Sequence, residues 1–219
     1  MKKSFALIGL TGTAGVGKDT VANLLNHLYG FDQDAFAKPL KDMLKVIGIH
    51  EPATRKEKEI QLDGFDFSFR KAAQTLGTEW GRTLQDDLWI KIAENKLLQA
   101  KSNKNEDVRI CFSDVRFENE AAMIRKHGGF IFHIVGRETT VSKENSDHRS
   151  EFGIKFFPSD IKIDNSSDMD NLKLNLQTPV AAVLLKPQWI DSSSESSDLK
   201  KINDRSRLLR RLLRNSPTL

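Results

Sequence analysis

The 219-residue chain has little cysteine and no long apolar stretch, and each absence excludes a class of protein. Its single cysteine, Cys111, cannot form a disulfide within the chain, so a cross-linked secreted scaffold is excluded and the reducing cytoplasm is expected. No apolar run reaches the roughly 18 residues that a membrane-spanning helix needs, so no membrane partner is expected. Hydrophobic residues still make up 38% of the chain, which is enough to bury the core of one α/β domain.

The chain also lacks an excess of negative charge, because its net charge is +4. This surplus lies in residues 198–219, which hold seven Lys or Arg and two Asp, whereas residues 1–197 have a net charge of −1. A Ser-rich stretch precedes the basic residues, so 188–219 is predicted to be a linker and tail appended to a domain at 1–187. The tail is compatible with a nucleic-acid contact, and its leucines are equally compatible with packing on a partner subunit, including a homodimer.

Apolar runs of strand length alternate with helical patterns through the first 187 residues. Strands are predicted at residues 4–11, 34–37, 108–114, 130–136 and 161–164. Two helices are predicted within 68–100, and a last helix over 168–185 is expected to be kinked or split by Pro179. Strands that alternate with helices predict a three-layer α/β fold, with a five-stranded, mostly parallel sheet covered on both faces.

A glycine-rich segment between the first strand and the first helix fits the pattern G-x-x-x-x-G-K. Glycines let backbone N–H groups converge on phosphate oxygens, the helix N-terminus adds partial positive charge, and a lysine neutralises phosphates. The segment is therefore predicted to bind the phosphates of a nucleotide. The residues assigned to it are Gly12, Gly15, Val16, Gly17, Lys18, Asp19 and Thr20.

The hydroxyl residue that usually follows the lysine of this pattern is replaced by Asp19, and Thr20 comes one residue later. A carboxylate at this position can bind Mg²⁺ or its waters, or it can cap the helix that begins there. Both alternatives stay open from the sequence. The candidate metal residues are Asp19, Thr20 and Asp114.

Asp114 and Arg116 stand at the end of the third predicted strand, where ligands bind in open parallel sheets. Asp114 is placed to act on Mg²⁺ or on an acceptor molecule, and Arg116 is placed to reach a phosphate; the alternative is a surface ion pair. Glu120, early in the next helix, is predicted either to orient Arg116 or to cap the helix.

Basic, hydroxyl, carboxylate and indole side chains cluster along residues 70–89. Arginine can hold a phosphate through two hydrogen bonds, Trp can stack on a base, and Asp or Thr can read base or sugar edges. The mixture suits a nucleoside monophosphate and gives these candidate acceptor residues: Arg70, Lys71, Thr78, Arg82, Asp86 and Trp89. Taken singly, Trp80 and Trp89 are equally compatible with a core position, as is Leu84 at helical spacing.

Two further segments carry candidate residues for the nucleotide. Residues 137–153 contain Arg137 and Arg149 in a polar stretch that suits a lid over phosphates, or an ordinary exposed loop. Asn165 follows the last strand and could supply an adenine-binding turn, or simply cap a strand end.

Together these segments resemble the phage-type deoxynucleoside monophosphate kinases and, less closely, the phosphomevalonate and dephospho-coenzyme A kinases. The resemblance spans about residues 5–185. Its matching pieces are GxxGxGKDT at 12–20, FAKPLK at 36–41, QTLGTEWGR at 74–82 with Trp89 beyond it, SDVRFENE at 113–120, HRSE at 148–151 and IDNSSDMDNL at 163–172. The resemblance implies a P-loop nucleoside monophosphate kinase-like fold, with an acceptor-binding insertion at about 38–100 and a lid at about 137–153.

The resemblance also implies a donor, an acceptor and residue roles. The donor is ATP with Mg²⁺, served by Lys18, Asp19 and Thr20, and the residues near the transfer centre are Asp114, Arg116 and Glu120. The acceptor is a deoxynucleoside 5′-monophosphate, whose site is lined by Arg70, Lys71, Thr78 and Trp89. Beside the residues that the resemblance supplies, Arg137 and Asn165 are candidates for ATP, and the further candidates for the acceptor are Lys38, Arg82, Asp86 and Arg149.

The expected activity is therefore ATP-dependent phosphorylation of deoxynucleoside monophosphates to diphosphates in the cytoplasm, the host cytoplasm if a phage encodes the chain. One alternative is another small-molecule kinase of the same fold, with phosphomevalonate or dephospho-coenzyme A as acceptor. Another, of a different class, is a nucleotide-binding protein that the basic tail anchors to nucleic acid.

Overall fold

The computed structural model describes residues 5–54, 56–102, 107–136 and 154–185. The strands within these ranges are β1 (Phe5–Thr11), β2 (Asp32–Asp34), β3 (Val108–Phe112), β4 (Phe130–Val135) and β5 (Ile161–Asp164). The α-helices are α1 (Lys18–Tyr29), α2 (Lys38–Val46), α3 (Phe69–Gln74), α4 (Leu88–Ser102), α5 (Glu118–Lys126) and α6 (Met169–Leu184). A 3₁₀ turn covers Glu57–Glu59, and a π-helix covers Thr75–Arg82. The predicted lid and tail lie outside the described residues.

The five strands form one sheet in the order β2-β3-β1-β4-β5, and every neighbouring pair is parallel. All seven residues of the central β1 are buried, which explains its continuous apolar sequence. Ile8 pairs with Cys111 of β3 on one side and with Phe130 of β4 on the other. The predicted five-stranded parallel sheet is confirmed.

Helices cover both faces of this sheet. Alternate residues of β1, Ile8 among them, share a core with apolar side chains of α1 and α6. Gly9 points to the opposite face, where an added Cβ would lie 2.5 Å from Cδ1 of Ile124 in α5. This arrangement confirms the three-layer α/β fold expected from the sequence.

The chain divides into two compact units. One, the sheet unit, contains Met1–Asp34 and Gln99–Leu219 and holds the five strands. The other, the helical unit, is Ala35–Leu98 and has a small core of its own around Leu44, Ile49 and Phe69. Nothing in the described residues gives a helix long and apolar enough to cross a membrane.

One local prediction is wrong. The second strand is Asp32–Asp34 and not 34–37, because the chain turns after Asp34 into α2, whose first turn contains a proline. Pro179 lies inside α6 and does not split it, whereas a kink at this residue stays a prediction. The core position raised as an alternative for Trp80 and Leu84 is not seen, since 45% and 64% of their surfaces are exposed.

Candidate functional site

The glycine-rich loop joins β1 to α1 and requires glycine at two close approaches. Gly12 has φ +141°, and a Cβ there would lie 2.5 Å from the carbonyl oxygen of Ile134 in β4. Gly17 has φ +100°, and a Cβ there would lie 2.3 Å from Nδ2 of Asn165. Both are positive-φ conformations that side chains rarely adopt, so the loop geometry itself selects glycine.

Lys18 is the first residue of α1 and its side chain turns back over the loop. The ammonium Nζ donates to the carbonyl oxygens of Gly12, at 2.7 Å, and of Thr13, at 2.9 Å. The N-cap residue Gly17 offers no side chain to the first N–H groups of the helix, which are the groups that bind anions at helix N-termini. The loop thus combines a positive charge with a helix N-terminus, as binding of nucleotide phosphates requires.

Asp19 lies exposed in the first turn of α1. The N-cap of this helix is Gly17, so Asp19 does not occupy the capping position that the sequence left open for it. Its charge still complements the helix dipole. A carboxylate exposed beside the loop is suited to a cation or its waters.

Asn165, which follows β5, holds the glycine-rich loop by a side-chain hydrogen bond. Its side chain is buried, and Nδ2 donates to the carbonyl oxygen of Val16 at 2.8 Å, while its own backbone N–H donates to the carbonyl oxygen of Val135. The structure therefore brings Asn165, Val16 and Gly17 together. A contact with adenine stays a prediction.

Asp114 and Arg116 follow β3 at the carboxyl edge of the sheet. The chain remains bound to the neighbouring strands there, because the backbone N–H of Ser113 donates to the carbonyl oxygen of Asp34 and that of Val115 to the carbonyl oxygen of Leu10.

Burial, together with the charge of Asp114, raises the pKa of the Cys111 thiol well above its ordinary range. The buried Cys111 is therefore a core residue and not a nucleophile.

Glu120 is buried and its carboxylate caps the start of α5. Oε2 accepts the backbone N–H of Arg116 at 2.8 Å and that of Phe117 at 3.1 Å. These bonds satisfy two backbone donors ahead of the helix, which is the capping alternative. The first bond also fixes the backbone of Arg116. A direct role for Glu120 at the transfer centre stays a prediction.

The sequence analysis missed a charged cluster centred on Asp160, whose side chain is only 1% exposed. Arg125 of α5 donates Nε–H and one terminal N–H to its two oxygens, at 3.0 and 2.7 Å. Nε2 of His133 and the backbone N–H of Phe157 also reach Oδ2, at 3.1 and 2.9 Å. Burial alone would raise the pKa of Asp160, but these hydrogen bonds lower it below the ordinary value. No local sequence signal marks this cluster, since its members lie far apart in the chain.

In the helical unit, the predicted acceptor cations are each paired with a carboxylate. Lys38 lies 3.8 Å from Asp42, and both are exposed. Lys71 lies 3.6 Å from Glu79 in the same way. Surface pairs of this kind contribute little to stability, so either lysine can exchange its partner for a phosphate.

The two predicted acceptor arginines are more enclosed. Nε of Arg70 contacts Glu59, and the Arg70 side chain is 24% exposed. Arg82 donates to the backbone oxygen of Asp86 at 3.1 Å and lies 3.7 Å from its carboxylate. This hydrogen bond spans the short segment between the π-helix and α4. Thr78, also in the π-helix, is exposed.

Trp89 occupies a core position, the alternative raised for it above. It is 5% exposed, and its indole Nε1–H donates to the carbonyl oxygen of Gly77 at 2.7 Å. A Cβ added at Gly81 would lie 2.5 Å from Cζ2 of this indole. Trp89 is thus packed against the backbone of the π-helix.

The predicted residues fall into the two units in a simple way. The predicted phosphate-loop residues, Asp114, Arg116, Glu120 and Asn165 belong to the sheet unit. The predicted acceptor residues between 38 and 89 belong to the helical unit. Arg137 and Arg149 lie outside the described residues.

Comparisons with known proteins identify the family of the chain. A family model described as deoxynucleotide monophosphate kinase matches residues 48–176, more than half of the chain. A putative deoxynucleotide monophosphate kinase of Acanthamoeba polyphaga mimivirus is 33% identical over 140 residues, which cover 58% of this chain and 72% of the relative. A deoxynucleoside-5′-monophosphate kinase of Escherichia phage T5 is 28% identical over 241 aligned positions, covering 78% of this chain and 94% of the relative. The chain belongs to the deoxynucleotide monophosphate kinase family.

Proposed function

We propose that this protein transfers the γ-phosphoryl group of ATP to a deoxynucleoside 5′-monophosphate, giving ADP and the deoxynucleoside diphosphate. The bond between the γ-phosphorus and the bridging oxygen breaks, and a bond from that phosphorus to an oxygen of the acceptor phosphate forms. The observation that carries the proposal is the phosphate loop with Lys18 at the start of α1, in a chain of this family. Phosphoryl transfer needs alignment and charge neutralisation and little covalent help from the protein.

The phosphate loop supplies the donor half of this chemistry. When phosphate enters, the Lys18 ammonium exchanges its bonds to the carbonyls of Gly12 and Thr13 for phosphate oxygens. The buried amide of Asn165 holds the carbonyl of Val16, so the loop keeps its shape as that exchange takes place. The positive end of α1 adds to the attraction.

The donor set of the sheet unit also fits Mg²⁺, which takes one or two protein carboxylates and completes its shell with water and phosphate oxygens. Asp19 and Asp114 would provide the carboxylates, and Thr20 a hydroxyl. Bound Mg²⁺ would neutralise charge on the phosphate oxygens. Arg116, on a backbone fixed by Glu120, is proposed to reach a phosphate during transfer.

The acceptor half is proposed to lie on the helical unit, with Lys38, Arg70, Lys71 and Arg82 as the cations that attract the monophosphate. Support comes from their paired but partly accessible charges. Thr78 and Asp86, both exposed, would read base or sugar edges. Arg137 and Arg149 are proposed to contact phosphates from the 137–153 segment.

The decisive test incubates the purified full-length chain with ATP, Mg²⁺ and each of the four deoxynucleoside monophosphates, and measures ADP and the diphosphate product. The proposal expects product with at least one of them. No ADP above background with any acceptor would refute it. Phosphomevalonate and dephospho-coenzyme A serve as comparison acceptors of the same fold.

A pair of lysine variants locates the site. Lys18→Ala is expected to lose nearly all turnover, because it removes the positive charge that donates to the loop carbonyls of Gly12 and Thr13. Lys162→Ala removes an exposed lysine of β5 and is the matched control. Equal turnover of the two variants would contradict the location proposed here.

We further propose a cytoplasmic enzyme, in the host cytoplasm if a phage encodes it, because ATP and deoxynucleotides are found there and the single thiol is buried. Contact of the tail with nucleic acid is a separate proposal that rests on its charge of +5. Salt-sensitive DNA or RNA binding that disappears on truncation after Pro187, while kinase activity remains, would support it. Sedimentation of the two forms would test the homodimer.

A further inference from the structure

The segment at residues 154–160, which leads into β5, has no helical or strand structure of its own and is held against α5. Glu118, the first residue of α5, accepts the backbone N–H of Lys155 with its Oε1. We propose that Glu118 is a positioning residue for phosphoryl transfer, which fixes the turn that carries Arg116 by binding this segment. The inference rests on the proposed function, since it assumes that Arg116 reaches a phosphate during transfer.

Two aromatic residues fix the 154–160 segment on α5 and β4. The ring of Phe156 packs on that of His133 in β4, with centroids 4.9 Å apart. The ring of Phe157 lies 4.3 Å from the guanidinium carbon of Arg125 in α5, a cation–π contact. Irregular surface segments are usually the more mobile parts of a protein, whereas this one is bound at consecutive residues.

A buried ion pair fixes the end of the same segment. The side chain of Asp160 is 1% exposed, and both of its oxygens accept hydrogen bonds from Arg125, at 3.0 and 2.7 Å. Such a pair offsets its desolvation cost only when its geometry is good, and a bidentate pair is geometrically specific. The 154–160 segment therefore has a defined position on α5.

Glu118 and Arg125 lie on the same face of α5, because seven residues make close to two helical turns. The Glu118 carboxylate lies 3.9 Å from the Arg125 guanidinium. The 154–160 segment thus contacts this face in both the first and the last turn of α5. Its contact with Glu118 is the one at the start of the helix, where the chain arrives from the transfer centre.

Arg116 is exposed and lies two residues before α5, in the irregular connection from β3. Its backbone N–H donates to Oε2 of Glu120 at 2.8 Å, so a shift of the first turn of α5 would move Arg116 as well. The bond between Glu118 and Lys155 opposes that shift from outside the helix. A cation that stabilises developing phosphoryl charge acts best when it is held in place before the reaction.

The experiment measures kcat and KM, for ATP and for the preferred deoxynucleoside monophosphate, of the full-length wild type, Glu118→Ala and Glu118→Gln. Glu118→Ala is expected to lower kcat by about 10-fold, less than the roughly 100-fold that a misplacement of about 1 Å can cost. Both KM values should stay constant, because ground-state binding is not affected. Glu118→Gln keeps an oxygen for the N–H of Lys155 and should restore most of kcat.

Asp170 provides the matched control. It is also an acidic residue in the first turn of a helix, α6, and its carboxylate pairs with Lys173 at 2.8 Å. Asp170→Ala should keep the wild-type kcat, and neither alanine variant should change Tm much, since both carboxylates are solvent-accessible. An unchanged kcat in Glu118→Ala, an equal decrease in the control, or a decrease that Glu118→Gln does not restore would overturn the inference.

A double-mutant cycle tests whether Glu118 acts through Arg116. Arg116→Lys keeps the charge but loses the planar guanidinium, and it is expected to lower kcat. Glu118→Ala should then lower kcat less in this background than in the wild type. Additive effects of the two substitutions, or a wild-type kcat in Arg116→Lys, would contradict the role assigned to Glu118.

Hydrogen exchange distinguishes a failure of this inference from a failure of the proposed function. The backbone N–H groups of Arg116 and Phe117 both donate to Glu120. In the substrate-free chain their exchange should be faster in Glu118→Ala and unchanged in Asp170→Ala. Unchanged exchange in Glu118→Ala would overturn the inference. A wild-type chain without turnover would refute the proposed function, and the exchange rates would still decide whether Glu118 fixes this turn.

Discussion

The buried Asp160 cluster gives a stability prediction whose size follows from its contacts. In the wild type, four N–H groups donate to the two carboxylate oxygens of Asp160. Asp160→Asn changes almost no volume but leaves a single oxygen to accept these four groups. At least two donors lose their acceptor, and the Arg125 guanidinium, whose side chain is 19% exposed, loses its counter-charge. Breaking a buried ion pair costs about 3–5 kcal/mol, and Glu118 at 3.9 Å still offsets part of the charge.

We therefore expect the variant to lose about 3 kcal/mol of unfolding free energy, which corresponds to a decrease in Tm of about 6–12 °C for a chain of this size. Thermal unfolding followed by circular dichroism at pH 7 measures it. The matched control is Asp170→Asn, which removes a carboxylate that pairs with Lys173 at 2.8 Å but is 90% exposed. Its Tm should stay near that of the wild type.

The pH dependence provides a second check on the same variant. Because the pKa of Asp160 is lowered in the folded state, its contribution is fully present above the ordinary carboxyl pKa and is lost as the pH falls through the lowered value. The difference in stability between the wild type and Asp160→Asn should therefore narrow below about pH 4. A Tm decrease of less than about 2 °C at pH 7, or a difference that does not change with pH, would refute the reasoning.

Two other substitutions test the described site. Gly17→Ala forces a side chain into φ +100° and places its Cβ 2.3 Å from Nδ2 of Asn165, so ATP affinity measured by titration should be lost while the helical unit still binds deoxynucleotide. Retained ATP affinity would contradict the loop geometry. Glu120→Ala leaves the N–H groups of Arg116 and Phe117 without their cap and should cost about 1–2 kcal/mol in urea unfolding, a loss that Glu120→Gln should partly restore.

The phosphate loop was predictable because its requirements are local. Gly12, Gly15 and Gly17 all have positive φ, and a short sequence window records that need as glycine. The buried run of β1 and the helical period of α1 flank the loop and fix its context. The hydrogen bond from Asn165 to Val16 was not predictable, because the two residues lie 149 positions apart in the chain and are brought together only by the sheet.

The exposure of Trp80 and Leu84 has a physical reason. The core position considered for them rested on the α-helical period, which the π-helix does not follow. The hydrogen bonds of a π-helix run from residue i to i+5, so the faces shift relative to those of an α-helix. Trp89 therefore contacts Gly77 and Gly81, and the two large side chains point outward.

The direction of the strands, and not the residue type, distinguishes the carboxylates of the sheet unit that lie at the ligand-binding edge from those that do not. All five strands are parallel, so residues after each strand share the carboxyl edge, where ligands bind. Asp114 follows β3 at that edge, whereas Asp160 precedes β5 and is enclosed by four donors. Asp34 is a third carboxylate at this edge, because β2 ends there and the backbone N–H of Ser113 donates to the Asp34 carbonyl oxygen. The predicted strand at 34–37 had placed Asp34 at the start of the strand instead. A three-residue edge strand with the sequence DQD pairs with β3 alone and carries no apolar period, so the hydrophobic pattern could not locate its end.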